Sequence, residues 1–153
     1  MKKSLLTIAI TILCIILSHE TEAQTTGKSN FLIGAWNYVY GDAIFHGDSI
    51  VNLVPGMLTG SDIKIWSEKY CSYIGRFKID TTFMDHYGGG TYTLNGNKYE
   101  EQVLWHYNPA YVSNKVKMLM ELKNDTLIQT FPVDENGKGN KNLYYVQKYV
   151  RLD

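Results

Sequence analysis

Histidine, acidic and cysteine side chains are the groups in this sequence that could do chemistry. The histidines at 46, 86 and 106 come from three separate segments, and they form no His-x-His or His-x-x-x-His pair of the kind that metal sites use. His86 follows Asp85 and precedes a run of three glycines, so we expect it at a strand end. A general acid or base needs its partner within hydrogen-bond reach. His86 is therefore the best placed acid–base candidate, and no metal site is predicted.

We interpret Cys71 and the glycine run at 88–90 as structural features rather than reactive or phosphate-binding ones. Cys14 lies in an apolar segment that we expect to be removed, so Cys71 is left alone and no internal disulfide is predicted. Unpaired cysteine is among the most buried residue types, so we expect Cys71 to be a small core residue rather than a nucleophile. The glycine run is followed by "TYTL", which favours a strand over the helix of a phosphate-binding loop. It predicts a bend or a close backbone approach.

The first 23 residues have the pattern of a secretory signal peptide. A short basic start precedes the apolar run from Ser4 to Leu17, and Thr21 and Ala23 are small residues at the positions before a cleavage site. We expect cleavage after Ala23, a loose leader over 24–30, and a protein that is secreted or periplasmic. An uncleaved membrane anchor is the alternative, although the apolar run is short for a bilayer span. Residues 31–153 form the predicted domain.

The charge of the chain excludes several classes of partner. Lys and Arg total 15, Asp and Glu total 15, and the basic residues are not clustered. Nucleic-acid binding proteins carry a basic patch, and proteins that bind anionic lipid carry a basic face. We therefore expect no nucleic acid as a partner, no membrane span after cleavage, and no cofactor.

From Phe31 onward the dominant hydrophobic period is two. Aromatic and β-branched residues alternate with polar ones, and turn residues interrupt them at short intervals, which is typical of an all-β fold. Asn95-Gly96 and Asn124-Asp125 predict tight hairpin turns. The predicted strands are 31–40, 49–54, 62–68, 70–80, 91–94, 98–107, 115–123, 126–133 and 142–152. A meander of this length removes its exposed edges by closing, so we predict an antiparallel up-and-down β-barrel of eight to ten strands.

The first strand carries Gly34, one spacer and Trp36. A barrel of eight strands has to seal one end against water, and an indole does this with a large apolar area. We expect Trp36 to be this plug, with Gly34 leaving room beside it. Arg151 on the last strand can lie across the indole face, or it can point into the cavity and hold a ligand carboxylate.

The glycine–spacer–tryptophan motif, the stretch "GGGTYTLNGNKYEE" and the ending Tyr149-x-Arg151 resemble the lipocalins. They are most similar to secreted lipocalin-like domains of Bacteroides-type bacteria, many of which have no assigned function. The resemblance implies a lipocalin-like barrel. Lipocalins usually also have disulfides and a helix near the last strand, and neither is evident in this sequence.

Alternation also predicts which side chains face the interior. On 115–123 the face with Val116, Met118, Met120 and Leu122 is apolar, and the opposite face is mostly charged. An aromatic and methionine-rich interior with a few polar groups suits a small, mostly apolar ligand. Glu101 inside it is expected to pair with Arg76 or Arg151. The predicted ligand-binding residues are Tyr99, Glu101, Val103, Trp105, Met118, Met120, Phe131, Tyr149 and Arg151.

We therefore expect an exported binding protein that holds a small hydrophobic molecule, rather than an enzyme. Two alternatives stay open. One is a small isomerase or cyclase that uses Glu101, His86 or a tyrosine at the barrel mouth. The other is a barrel filled with side chains whose outer surface binds another protein.

Overall fold

The computed structural model describes residues 30–153, and the predicted signal peptide at 1–23 lies outside the described residues. The described chain is almost entirely β-strand, with one short 3-10 turn at Pro109–Tyr111. No helix in this part of the chain is long and apolar enough to cross a membrane. The strands are β1 Gly34–Phe45, β2 Ser49–Val54, β3 Thr59–Trp66, β4 Tyr70–Ile79, β5 Thr82–Asn95, β6 Lys98–His106, β7 Lys115–Lys123, β8 Thr126–Phe131 and β9 Leu143–Arg151.

The sheet closes into an up-and-down antiparallel barrel, as predicted from the alternation. Each strand from β3 to β9 pairs with the next, and β9 pairs with β1 from Trp36↔Arg151 to Phe45↔Leu143. β2 and β3 share one edge of β1: β2 pairs with 41–45 and β3 with 34–37. The barrel therefore has eight strand positions, a number at which the interior is filled by side chains or holds one small ligand.

Both predicted hairpins are present: the turn at Asn124-Asp125 lies where it was predicted, and the first turn lies one residue later than predicted, at Gly96-Asn97. Gly96 has φ +64°, and Asn124 and Asp125 have φ +48° and +60°, which are the positive values that two-residue hairpin turns require. These short turns lie at the end of the barrel that contains Trp36. Longer segments, including 107–114 and 132–142, connect strands at the other end. We call these the closed end and the open end.

The closed end is sealed by the residues that precede β1. The first strand was predicted to start at Phe31, but residues 31–33 turn before β1 begins at Gly34. Leu32 and Trp36 are fully buried, and the indole Nε1 of Trp36 donates to the carbonyl of Leu32 at 2.7 Å. Trp36 therefore has both an apolar contact surface and a partner for its N–H at this end of the barrel.

Arg151 on the last strand, β9, stabilises the closed end. Its guanidinium carbon lies 4.3 Å from the Trp36 ring centroid, and its two terminal nitrogens donate to the carbonyls of Phe31 and Ile33 at 3.0 and 2.9 Å. Gly34 has φ +127°, and a Cβ there would collide with the Arg151 side chain. The glycine is needed both for its backbone angle and for the room it leaves.

The glycine run at 88–90 lies within β5 and allows close backbone contact. A Cβ on Gly90 would collide with the carbonyl of Gln102 on β6, and one on Gly88 would collide with the hydroxyl of Tyr73 on β4. The register of β5 against β6 shifts between Gly89 and Gly90, so a β-bulge accompanies the run. This agrees with the predicted close approach and changes which β6 residues face inward.

Candidate functional site

The half of the barrel nearest the closed end is a packed core. Most of the predicted ligand-contacting residues lie here and have almost no exposed surface: Tyr99, Glu101, Val103, Met118, Met120 and Tyr149. Trp66 and Leu127 fill the space between them. Their side chains therefore pack against one another in the barrel interior.

A buried ion pair crosses the middle of the barrel. Nζ of Lys64 lies 3.8 Å from Oε2 of Glu101 and donates to Oε1 of Gln129 at 3.1 Å. The hydroxyl of Tyr99 donates to the same Glu101 oxygen at 3.1 Å. The Lys64 and Glu101 side chains are only 5% and 3% exposed. The expectation that Glu101 pairs with Arg76 or Arg151 is wrong, because Arg76 bonds Asp85 on the outer surface and Arg151 bonds the closed end.

A second polar pair lies closer to the open end. Nδ1 of His86 is 2.8 Å from Oδ2 of Asp62. Because a carboxylate only accepts hydrogen bonds, Nδ1 carries the proton in this pair and the other ring nitrogen, Nε2, is left as an acceptor when the imidazole is neutral. Gly75 separates the two strands, and a Cβ at this position would collide with Asp62. The missing side chain thus allows Asp62 on β3 to reach His86 on β5.

Asp62 has one oxygen without a partner. Its side chain is 3% exposed, and among the described residues Oδ1 accepts no hydrogen bond. Leaving a buried acceptor unpaired costs about 1–3 kcal/mol, so such an atom needs a functional or structural explanation. Oδ1 has no surface open to solvent, so the Asp62 carboxylate acts through Oδ2 on His86.

Aromatic rings surround His86. The Tyr73 ring stacks on it with centroids 4.8 Å apart, Phe77 meets it edge-on at 5.6 Å, and Tyr107 lies at 5.2 Å. His106 contacts both Tyr73 and Tyr107, at 6.3 and 4.4 Å. We call Tyr73, His86, His106 and Tyr107 the open-end cluster.

The bulge between β5 and β6 brings His106 into this cluster. Strict alternation predicted Trp105 inside and His106 outside. The structure pairs Gly90 with Val103 but Gly89 with Trp105, so Leu104 is an extra residue and the faces exchange after it. Trp105 is 42% exposed on the outer surface, and His106 pairs with the inward-facing Gly88. The interior position predicted for Trp105 is wrong for this reason.

Burial affects the titration of several of these groups. Desolvation raises the pKa of the Tyr73 and Tyr107 hydroxyls, and it lowers the pKa of His106. Nδ1 of His106 lies 2.9 Å from the backbone nitrogen and 3.0 Å from the carbonyl oxygen of Asn108, and the hydrogen bond to this carbonyl opposes the larger effect of desolvation on the His106 pKa. The tyrosines are neutral hydrogen-bonding groups at neutral pH, and His106 favours its neutral form.

The polar side chains of β8 and β9 complete the wall. Gln129 donates to Oε1 of Gln147 at 3.2 Å, and the Tyr149 hydroxyl donates to the same oxygen at 2.8 Å. Phe131 and Tyr145 lie next to them on the side of the open end. Both are half-buried, and their ring centroids are 5.3 Å apart. Of the predicted site residues, Phe131 is the one that lies in this more accessible upper layer. Arg151 does not face the interior.

Cys71 is buried, as expected, and has no disulfide partner among the described residues. Desolvation raises the pKa of its thiol to about 11. The thiolate is the reactive form of cysteine, so this side chain is inert near neutral pH. Within residues 30–153 no group of three or more potential metal ligands converges.

Two further depressions lie outside the barrel. One of about 240 Å³ lies between the paired strands β6 and β7 and residues 133–137, with Tyr99 and Met118 in its lining. One of about 520 Å³ lies at the closed end between Asn30 and the 92–96 hairpin. Neither is lined by Asp62, His86 or the rest of the open-end cluster. The candidate site is therefore defined by its polar pair and its rings, not by these depressions.

The alternation analysis did not include Asp62 and Lys64 in the site. The segment "DIKIW" at 62–66 alternates charged and apolar residues, so its isoleucines are the natural choice for the core. The structure does the opposite: Asp62 and Lys64 face inward with Trp66, and Ile63 and Ile65 face outward. The sequence feature that could have predicted this orientation is Trp66, which lies on the same strand face as the two charged residues.

No protein-family model, curated protein or solved structure matches this chain.

Proposed function

We propose that this protein is an exported barrel of the secreted bacterial lipocalin-like type, and that it binds one small, mostly apolar molecule at the open end. Export rests on the sequence pattern of residues 1–23. Binding rests on one observation above all: His86, held by Asp62, lies among aromatic rings at the open end of the barrel and is about a quarter exposed. Apolar pockets with a few placed polar groups are the usual form of small-molecule sites.

The geometry favours a ligand with a flat apolar body and one hydrogen-bond donor. The stacked rings of Tyr73, His86, His106 and Tyr107 supply an aromatic edge for the ligand, and Phe131 and Tyr145 extend the apolar wall. His86 Nε2 accepts the donor group, which gives the ligand its orientation. The cluster packs on buried residues on its closed-end side, namely Tyr99, Met118, Met120 and Tyr149. These residues therefore affect the affinity through packing.

A fluorescent probe with this chemistry tests the proposal. N-phenyl-naphthylamine has two aromatic systems and one N–H, and its emission rises when it leaves water. We expect saturable binding to the wild-type protein. His86→Ala and Phe131→Ala should each weaken binding about tenfold or more, since each removes a contact of about 1.4 kcal/mol or above.

The controls separate the open end from the outer surface. Ile74→Ala on β4 and Val150→Ala on β9 remove apolar groups exposed on opposite outer walls, and neither should change the affinity by more than about twofold. If the outer variants weaken binding as much as the open-end variants, the probe binds nonspecifically. If the wild-type protein shows no saturable binding to this probe, the proposed site is wrong in its chemistry.

The Asp62–His86 pair also supports a second candidate, an enzyme that moves a proton on its bound ligand. A carboxylate on Nδ1 fixes the imidazole and leaves Nε2 as the base, which is the arrangement used in many general-base sites. Glu101 is a weaker candidate because Lys64 and Tyr99 already occupy its oxygen.

Deuterium exchange tests this activity without knowledge of the natural substrate. Small aromatic ketones are incubated with the protein in D₂O, and incorporation of deuterium next to the carbonyl is followed by NMR. Catalysed exchange that His86→Gln abolishes and Glu101→Gln retains would support the enzyme. If every ketone that binds exchanges its hydrogens only at the uncatalysed rate, the enzyme hypothesis is wrong and ligand binding remains the proposed function.

A further inference from the structure

The charged side chains buried inside the barrel do not balance. Within residues 30–153 three charged residues are almost fully buried, namely Asp62, Lys64 and Glu101, and each is 3–4% exposed. Two of them are acids and one is a base, so the interior carries one excess negative charge when His86 is neutral. An uncompensated charge is costly in a medium of low polarity, and it attracts any opposite charge that can approach it.

The excess charge belongs to Asp62. Glu101 is matched by Lys64, whose Nζ lies 3.8 Å from Oε2 of Glu101 and donates to Oε1 of Gln129. No lysine or arginine pairs with Asp62 in the described part of the chain: its Oδ2 bonds Nδ1 of His86, and its Oδ1 accepts no hydrogen bond. The Asp62 carboxylate is therefore stabilised by a single N–H group, which a neutral imidazole already supplies.

His86 transmits this charge to a part of the site that solvent can reach. The Asp62 side chain is 3% exposed, whereas the His86 side chain is 24% exposed. The carboxylate holds the proton on Nδ1, so the neutral ring has Nε2 as its acceptor. A carboxylate bound to one ring nitrogen also makes the other nitrogen more basic, so Nε2 attracts a strongly polarised N–H group.

The groups around His86 add no unbalanced positive charge. Desolvation raises the pKa of the Tyr73 and Tyr107 hydroxyls, so both are neutral and their oxygens can accept hydrogen bonds. It lowers the pKa of His106, which favours the neutral ring. Nζ of Lys64 lies 5.5 Å from the Tyr73 ring centroid, but its charge is offset by the carboxylate beside it. The site thus combines hydrogen-bond acceptors with a net negative charge.

We propose that the ligand of the open end carries a positive charge, as a protonated amine with an aromatic body does. This inference rests on the proposed binding function and adds the charge of the ligand to it. The ammonium group donates a hydrogen bond to Nε2 of His86, and its charge offsets that of Asp62 on the other ring nitrogen. A carboxylate ligand such as a fatty acid is disfavoured, because it brings a second negative charge to this position.

A proton on His86 would balance the same charge in the free protein. The resulting imidazolium has no acceptor atom, so an ammonium ligand binds only when this proton has left. The proton and the ligand are therefore alternatives at one position. Ligands are best compared at about pH 8, where an imidazole of ordinary basicity is neutral and an alkylamine is still protonated.

Three ligands with the same ring test the charge of the ligand. At this pH 1-naphthylmethylamine is a cation, 1-naphthalenemethanol is neutral and 1-naphthoate is an anion, and each attaches its polar group through one carbon or at it. Isothermal titration calorimetry on the wild-type protein measures each affinity, and N-phenyl-naphthylamine is measured separately. We expect the amine to bind at least about tenfold more tightly than the alcohol, and the carboxylate to bind about tenfold more weakly than the alcohol.

Two substitutions locate the origin of this preference. Asp62→Asn removes the excess charge with almost no change in size, and the ratio of amine affinity to alcohol affinity should fall below about threefold. Asp85→Asn removes a carboxylate from the outer surface, where Asp85 pairs with Arg76, and should leave the ratio unchanged. The ratio is insensitive to a general loss of affinity, and circular dichroism checks that both variants are folded. If Asp62→Asn does not fold, the order of affinities in the wild-type protein decides.

The outcomes separate this inference from the function on which it rests. If N-phenyl-naphthylamine binds, and the alcohol or the carboxylate binds as tightly as the amine, the site stands and a positively charged ligand is wrong. A preference for the amine that folded Asp62→Asn retains in full would also overturn the inference, because the preference would then arise elsewhere. If none of the four compounds binds, the proposed function fails together with it.

Discussion

The buried Lys64–Glu101 pair gives the sharpest test of how the interior is stabilised. Lys64→Met removes the cation and leaves Glu101, whose side chain is 3% exposed, with the neutral Tyr99 hydroxyl as its hydrogen-bond donor. Breaking a buried ion pair from one side costs about 3–5 kcal/mol, because the remaining charge is buried without compensation. This is a large part of the 5–15 kcal/mol that stabilises a typical domain, so we expect a much lower denaturation midpoint.

The double variant separates the cost of a lone charge from the value of the pair. Lys64→Met with Glu101→Gln leaves two uncharged side chains of similar size, and such replacements are often neutral or stabilising. We therefore expect the double variant to recover most of the stability that Lys64→Met loses. Urea unfolding followed by circular dichroism measures all three free energies, provided the slope with urea stays constant.

An exposed ion pair supplies the matched comparison. Lys115 donates to Glu100 at 2.9 Å on the outside of the same β6–β7 ladder. Solvent screens such a pair, so Lys115→Met should have a far smaller effect than Lys64→Met. The reasoning is refuted if Lys64→Met costs less than about 1 kcal/mol, or if adding Glu101→Gln makes the protein still less stable.

Three other outcomes are expected. Arg151→Met removes the contact with Trp36 and two hydrogen bonds to the closed end, and should lower the free energy of unfolding by about 1–3 kcal/mol in the same urea assay. Cys71 should react with iodoacetamide at pH 8 only as fast as the protein unfolds, because its pKa is about 11 and its side chain is buried; rapid labelling of the folded protein would contradict this. His106 should titrate below its ordinary pKa of 6.5 by NMR. Since the folded state favours neutral His106, this contribution to stability is present above pH 6.5 and is lost as the pH falls below it.

The strand pattern could be predicted because barrel strands obey local rules. The bounds of β2 and β7 follow from alternation and turn residues, and the hairpin around Gly96 follows from backbone preferences, to within one residue. Closure also follows, since a long meander with short turns has few other ways to cover its edges.

The interior chemistry was only partly predictable. Glu101 was assigned to the inner face correctly, but its partner is on β3, and pairing between distant strands is not encoded locally. The positions of Trp105 and His106 depend on one extra residue at Leu104, which alternation cannot detect. The charged inner face of β3 contradicts the ordinary preference for apolar residues inside, and only the barrel as a whole explains it.

The attachment of Arg151 to the residues before β1 has a practical consequence. Asp153, two residues later, accepts a hydrogen bond from the backbone N–H of Ala35, so the carboxyl terminus emerges beside the closed end. A tether added after Asp153 would hold the molecule by its sealed base. Immobilised on a sensor chip in this way, the protein would direct Tyr73, His86 and Tyr107 toward the flowing solution.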